Sequence, residues 1–219
     1  MIVRNLITDG ILPLKPEDSC RDALEYMEDL SVTHLPLVYG KKYVALVSDF
    51  DIYNSDNLDK KMSELSLSFQ PFVYDYQHVY DALKLFNEHD LTLLPVLDEY
   101  DNYLGTINQR TLIHYLTSAF SVLDPGGVIV LEMSSCDYML SEIARIVESN
   151  DAKILSLMMH VQPDSTKLCI SIKLNKIDIA PILQTFNRFN YNIVTSFSER
   201  SDYDDLRDRY DEFIKYLNI

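Results

Sequence analysis

The chain has 219 residues, of which 47% are hydrophobic and 24% charged, the balance of a folded globular protein rather than a disordered one. With 34 acidic against 19 basic residues the net charge is −15, which excludes a broad nucleic-acid face and docking on an anionic membrane, since both need clustered Lys and Arg. Only 5 glycines occur, where average use of about 7% would give roughly 15. Neither GxGxxG nor GxxxxGK followed by Ser or Thr is present, so no glycine-rich phosphate loop is expected.

No apolar run approaches the roughly 18 residues needed to cross a bilayer, and residues 1–5 do not open an apolar leader. Cys20, Cys136 and Cys169 are odd in number and far apart, with no CxxC. A reducing, cytoplasmic setting without a disulfide framework is therefore expected.

Taken in chain order, the first signal is a helix start at Asp18 or Ser19, followed by Ala23, Leu24, Met27 and Leu30 at helical spacing. A short strand carries Thr33-His34-Leu35-Pro36-Leu37-Val38, then a turn, a strand over 43–47 and a helix over 49–55. The same order returns 59 residues later. Asp22-Ala23-Leu24 recurs as Asp81-Ala82-Leu83, and Thr33 to Val38 as Thr92-Leu93-Leu94-Pro95-Val96-Leu97. A strand over 103–107 and a helix over 109–119 complete the second copy. Pro36 and Pro95 imply an edge or strand-start position, because proline lacks the ladder N–H. One β-α-β-β-α unit therefore appears twice, over 1–60 and 61–122, and the copies should pack as a pseudo-symmetric pair.

After a linker that ends at Gly126-Gly127, the pattern changes. A buried-type strand over 128–133 precedes a helix marked by Met139, Ile143, Ile146 and Val147. Strands over 154–161 and 168–174 flank a turn at Gln162-Pro163-Asp164-Ser165-Thr166-Lys167. Ile182, Leu183, Phe186 and Phe189 mark a second helix, and 192–197 a last strand. This β-α-β-β-α-β order over 127–198 is ferredoxin-like. In the tail, 199–219, Leu206, Tyr210, Phe213, Ile214 and Leu217 form one helical stripe, and Asp204, Asp205 and Asp208 lie in its first half. That helix docks either on its own chain or on a dimer partner. The fold class is α+β.

The duplicated unit resembles the CBS domain, and two in tandem look like a Bateman module. The resemblance rests on the Asp-Ala-Leu helix, the hydrophobic-Pro strand and Ala45-Leu46-Val47-Ser48-Asp49-Phe50-Asp51-Ile52. That last run fits the family's Gly-h-h-Thr/Ser-x-x-Asp-h ending, with Ala45 at the glycine place. The C-terminal order looks like an ACT domain, although its first loop, Ser134-Ser135-Cys136-Asp137-Tyr138, lacks the glycine that lets a ligand reach backbone amides. The whole is similar to acetoin-utilisation regulatory proteins with CBS and ACT parts.

The resemblance implies that Asp51 accepts hydrogen bonds from ribose hydroxyls, with Ser48 assisting. A carboxylate suits a cis-diol because it only accepts. The alternative is that Ser48 and Asp51 cap the helix, and the two roles are compatible. In the second copy Asn108-Gln109-Arg110-Thr111 replaces the motif, and Thr111 offers a single hydroxyl. The family's cross-repeat clefts imply that the backbone of Phe72 and Val73 reads the adenine edge while Leu93, Leu94 and Pro95 form the ring's apolar wall. Where charged-nucleotide binders carry Arg or Lys before the Leu-Pro, this chain has His34 and Leu93, and an uncompensated triphosphate is disfavoured at charge −15. The expected ligand is adenosyl-containing: AMP, ADP or S-adenosylmethionine. No metal ligand set is expected: the histidines lack paired spacing, and the acids from Asp49 to Asp59 lack the glycine and glutamate of a calcium loop.

These readings converge on a non-enzymatic regulatory sensor, forming a homodimer and signalling to a regulated protein by population shift. The alternative is a ligand-free dimeric interaction scaffold with degenerate clefts.

Overall fold

Ser19 and Asp22 set the first helix by a reciprocal capping box. The Ser19 hydroxyl accepts from Asp22 N at 3.1 Å, and the Asp22 carboxylate accepts from Ser19 N at 3.4 Å. This satisfies two orphan donors of helix α1 (Cys20–Leu30). In the computed structural model, which describes residues 1–161 and 166–198, the chain divides into two units between Leu116 and Thr117. The tail beyond Ser198 and part of the 162–167 turn lie outside the described residues. Among the described residues no helix is long and apolar enough to cross a membrane.

The first unit holds both repeats. In the first, α1 is followed by β1 (His34–Tyr39), β2 (Lys42–Ser48) and α2 (Asp49–Tyr53). In the second, β3 (Val73–Tyr74), α3 (Val79–Glu88), β4 (Leu93–Leu97), β5 (Tyr103–Asn108) and α4 (Gln109–Ala119) give the full expected order, whereas in the first the place of the leading strand is taken by a single parallel bridge of Leu14 to Leu37. The sheets are ordered β1-β2 and β3-β4-β5. Their antiparallel hairpins share a register, with His34 opposite Ser48 and Leu93 opposite Asn108.

The repeats interlock by exchanging segments. Val3 and Leu6 are buried in the apolar cluster of the second repeat, beside Val73, Val79, Ala82, Leu94 and Ile107. Backbone bonds from Val3 N to Gln77 O and from Thr8 N to Thr106 O hold that segment. Reciprocally, Leu46 N donates to Phe69 O, in the stretch that leads into β3. Side chains cross as well. Leu46 packs in the second repeat's cluster, and Leu93 joins Leu35, Val47 and Ile52 in the first repeat's. Each fully buried leucine of this kind contributes about 1.5–3 kcal/mol.

Pro36 lies on β1, at the edge of its sheet, as expected. Pro95 departs from the edge or strand-start expectation: it is the third residue of β4, the central strand of three. Strand β3 meets β4 only at Val96 and Leu97, so on that flank no strand requires the N–H that Pro95 lacks.

In the second unit β6 (Val128–Ser134), α5 (Leu140–Glu148), β7 (Ile154–Val161), β8 (Lys167–Leu174), α6 (Ala180–Arg188) and β9 (Asn192–Phe197) form the expected β-α-β-β-α-β order. All pairings are antiparallel, in the order β7-β8-β6-β9, which is the ferredoxin-like arrangement. Ile143, Ile146 and Val147 of α5 and Ile182 and Phe186 of α6 pack on Ile129, Leu131, Ile170 and Ile172.

Candidate functional site

Strand β2 ends where its last residue, Ser48, becomes the N-cap of α2. The Ser48 hydroxyl accepts from Asp51 N at 3.1 Å. One carboxylate oxygen of Asp51, Oδ2, accepts from Ser48 N at 2.9 Å and from Ser48 Oγ at 2.7 Å. The cap therefore uses Oδ2 and leaves Oδ1 with lone pairs to offer. Both side chains are half-buried.

Asp51 lines a cleft of about 370 Å³, within the roughly 300–1,000 Å³ of small-molecule sites. Its other walls come from Asn54, Ser55, Asp56 and Lys60, and from Glu64, Leu65, Ser66 and Leu67 in the stretch between α2 and β3. Leu65 and Leu67 rest on the first repeat's core and supply the apolar side. Three carboxylates, Asp51, Asp56 and Glu64, face one ammonium, Lys60, so the cleft is negative.

The expected adenine slot is not on this wall. Val73, Leu93 and Leu94 are at most 1% exposed and belong to the two cores, and Pro95 is buried in β4. Phe72 is half-buried, its ring edge-on to Tyr43 and Tyr74. The fold thus brings Ser48 and Asp51 together and packs the side chains of Leu93, Leu94 and Pro95 in the cores, while burial of the Val73 side chain does not bear on the backbone role expected of it. Leu65 and Leu67 belong to none of the motifs that mark the site in the sequence. Their alternation with Ser66 and Ser68 is the available signal.

The equivalent corner of the second repeat keeps the scaffold and loses the carboxylate. Asn108 Oδ1 accepts from Thr111 N at 2.7 Å, and the Thr111 hydroxyl lies 2.9 Å from that of Thr8 in the exchanged N-terminal segment. The one hydroxyl expected to meet a ribose thus already has a protein partner.

Between the corners lies a polar junction. Thr33 and Thr92, equivalent residues of the repeats, meet through Thr33 N donating to Thr92 Oγ1 at 3.1 Å. His34 Nδ1 accepts from Thr92 N at 3.4 Å and lies 3.0 and 3.1 Å from the Thr33 and Thr92 hydroxyls. Burial pushes the His34 pKa below its ordinary value, against the opposing pull of Asp49 and Asp51.

The family model for the CBS domain matches residues 3–56 and 67–118. An uncharacterised protein of Methanocaldococcus jannaschii is 25% identical over 108 residues, which make up 49% of this chain and 36% of that protein. The inosine-5'-monophosphate dehydrogenase of Korarchaeum cryptofilum is 24% identical over 126 residues, 58% of this chain and 25% of the enzyme. The chain thus spans about a third or less of the length of these relatives. Among solved structures, a CBS domain pair/ACT domain protein from Thermotoga maritima aligns with a TM-score of 0.49 at 22% identity, covering 54% of this chain and 98% of that one.

Proposed function

The first half of the chain is a tandem pair of CBS domains, a regulatory module, and from that premise we propose that it senses an adenosyl ligand at Asp51 and signals to a partner protein. The carrying observation is the Asp51 carboxylate, which caps α2 with Oδ2 and keeps Oδ1 for a ribose hydroxyl at the cleft. The base lies along Leu65 and Leu67, because the side chains of Leu93, Leu94 and Pro95, the expected apolar wall, are occupied in the core. The negative wall favours a zwitterionic or singly phosphorylated adenosyl compound, S-adenosylmethionine or AMP, over ATP.

Signalling works by population shift. The cleft joins α2 of the first repeat to the connector that leads into the second, so a ligand that bridges them favours one arrangement of the repeats, and the partner reads that arrangement. The module acts in the cytoplasm as a homodimer, for which the ACT-like second unit supplies the interface. Light scattering at the mass of one chain would count against that assembly.

Thermal unfolding with AMP, ADP, ATP, S-adenosylmethionine and amino acids tests the reading. A ligand at a hundredfold excess over Kd adds about 2.7 kcal/mol, roughly 5–10 °C for a chain of this size. The shift should vanish in Asp51→Ala. It should persist in Ser48→Ala, which loses about 1 kcal/mol of capping. A flat panel with folded wild type favours the second reading, a ligand-free scaffold. The engaged Thr111 hydroxyl and the packed slot residues speak for that alternative.

A further inference from the structure

Strand alternation gives the sheet of the second unit two faces. Ile129, Leu131, Ile170 and Ile172 lie under α5 and α6. The register places their neighbours in rows on the opposite, outer face. Phe197 lies beside Val128 and Lys173, Thr195 beside Val130, Ser171 and Met158, and Glu132 beside Cys169 and His160. The connector after α4 crosses one corner, where Ser156 Oγ donates to Phe120 O at 2.8 Å and Lys173 Nζ to Gly126 O at 2.9 Å. Elsewhere the face presents large apolar groups: Phe197 is 60% exposed and Met158 46%. At its centre Cys169 is only 8% exposed, although it belongs to no cluster with α5 or α6.

We propose that this outer face is the docking site of the chain's own C-terminal segment, residues 199–219. The segment leaves from β9, an edge strand of the same sheet, so it reaches the face without a second molecule, at the high effective concentration of a short tether. Its apolar stripe runs from Leu206 through Tyr210, Phe213 and Ile214 to Leu217. As a helix, at about 1.5 Å per residue, that stripe would be about 17 Å long, and the axes of the outer strands of a four-stranded sheet lie about 14 Å apart. Charge agrees with the same placement. On the face Lys167 pairs with Glu132 at 2.7 Å, which leaves the charge of Lys173 in excess there, and Asp204, Asp205 and Asp208 stand at the head of the stripe.

Thiol labelling of the full chain, resolved by peptide mass spectrometry, reads this docking directly. Cys136 is exposed and serves as the internal reference, and Cys20 is buried in the first unit. Stopping the chain after Ser198 should raise the Cys169 labelling rate by at least about tenfold, the signature of a face that has lost its cover, with Cys136 unchanged. The full-length double variant Leu206→Asp, Phe213→Asp should do the same, and circular dichroism establishes that it is folded. In the wild-type chain, Cys169 protection should not depend on protein concentration. Equal Cys169 rates in all three proteins would overturn the proposal. Protection that grows with concentration would also overturn it, and would assign the face to a second copy of the chain.

Discussion

His34 stands where the two repeats meet the start of α2. Its Nδ1 faces the Thr92 N–H, which can only donate, so the bond requires a neutral ring with the proton on Nε2. The Thr33 and Thr92 hydroxyls can turn to accept, but the backbone N–H cannot. Burial favours the same neutral form, and the charges of Asp49 and Asp51 oppose it more weakly. The folded pKa therefore lies below 6.5. As the pH falls through that value the unfolded chain takes up its proton first, so stability declines as the pH falls and is regained as it rises. Urea denaturation across roughly pH 5–7.5 should show wild type losing more stability at the acid end than His34→Asn, whose amide oxygen replaces the Nδ1 acceptor without titrating. Parallel profiles for the two proteins would refute this role. The sequence repeat marks His34 as the counterpart of Leu93. Its partner Thr92 lies 58 residues away, and no local spacing encodes that meeting. Ser48 and Asp51, three residues apart, were by contrast open to reading, because a capping box is a local device.

At the scale of elements, the junction before β6 rests on one backbone conformation. Gly126 has φ of +147°, and a Cβ there would collide with the Leu174 carbonyl oxygen at the end of β8. Backbone on both sides is fixed by bonds from Gly127 N to Lys176 O and from Leu174 N to Gly127 O, so the clash has no easy relief. Gly126→Ala should cost about 2–4 kcal/mol. Hydrogen exchange should show amides of β6 and β8 losing protection while those of β1 and β2 keep theirs. Uniform loss over both units, or none, would contradict this. Helices and strands of the second unit follow from local periodicity and could be placed from the sequence, as could the α-β-β-α part common to both repeats, while the leading strand forms only in the second. The exchange that buries Val3 and Leu6 in the other repeat could not. An apolar residue near a terminus signals burial without naming the surface that buries it. Pro95 shows the same limit: its place in a central strand depends on how short β3 is, which the Pro95 neighbourhood does not record.

For the whole molecule, the charge of −15 has a local counterpart at the cleft, where Asp51, Asp56 and Glu64 outnumber Lys60. General charge and local wall act in the same direction on a phosphorylated ligand, and both act through solvent that salt can screen. The Debye length falls from about 10 Å at 0.1 M to about 3 Å at 1 M ionic strength, shorter than the span of a triphosphate chain reaching past the ribose. The protein should therefore be stabilised more by AMP or S-adenosylmethionine than by ATP at low salt, and the gap should narrow as salt rises. Glu64→Lys should narrow the gap at low salt without any added electrolyte, since it replaces one wall anion by a cation and leaves the Asp51 cap intact. Thermal-shift titrations of the three ligands, on wild type and Glu64→Lys, measure both effects. If ATP at low salt stabilises wild type as strongly as AMP does, the negative wall does not set ligand choice, and the phosphates must leave the cleft away from Asp56 and Glu64.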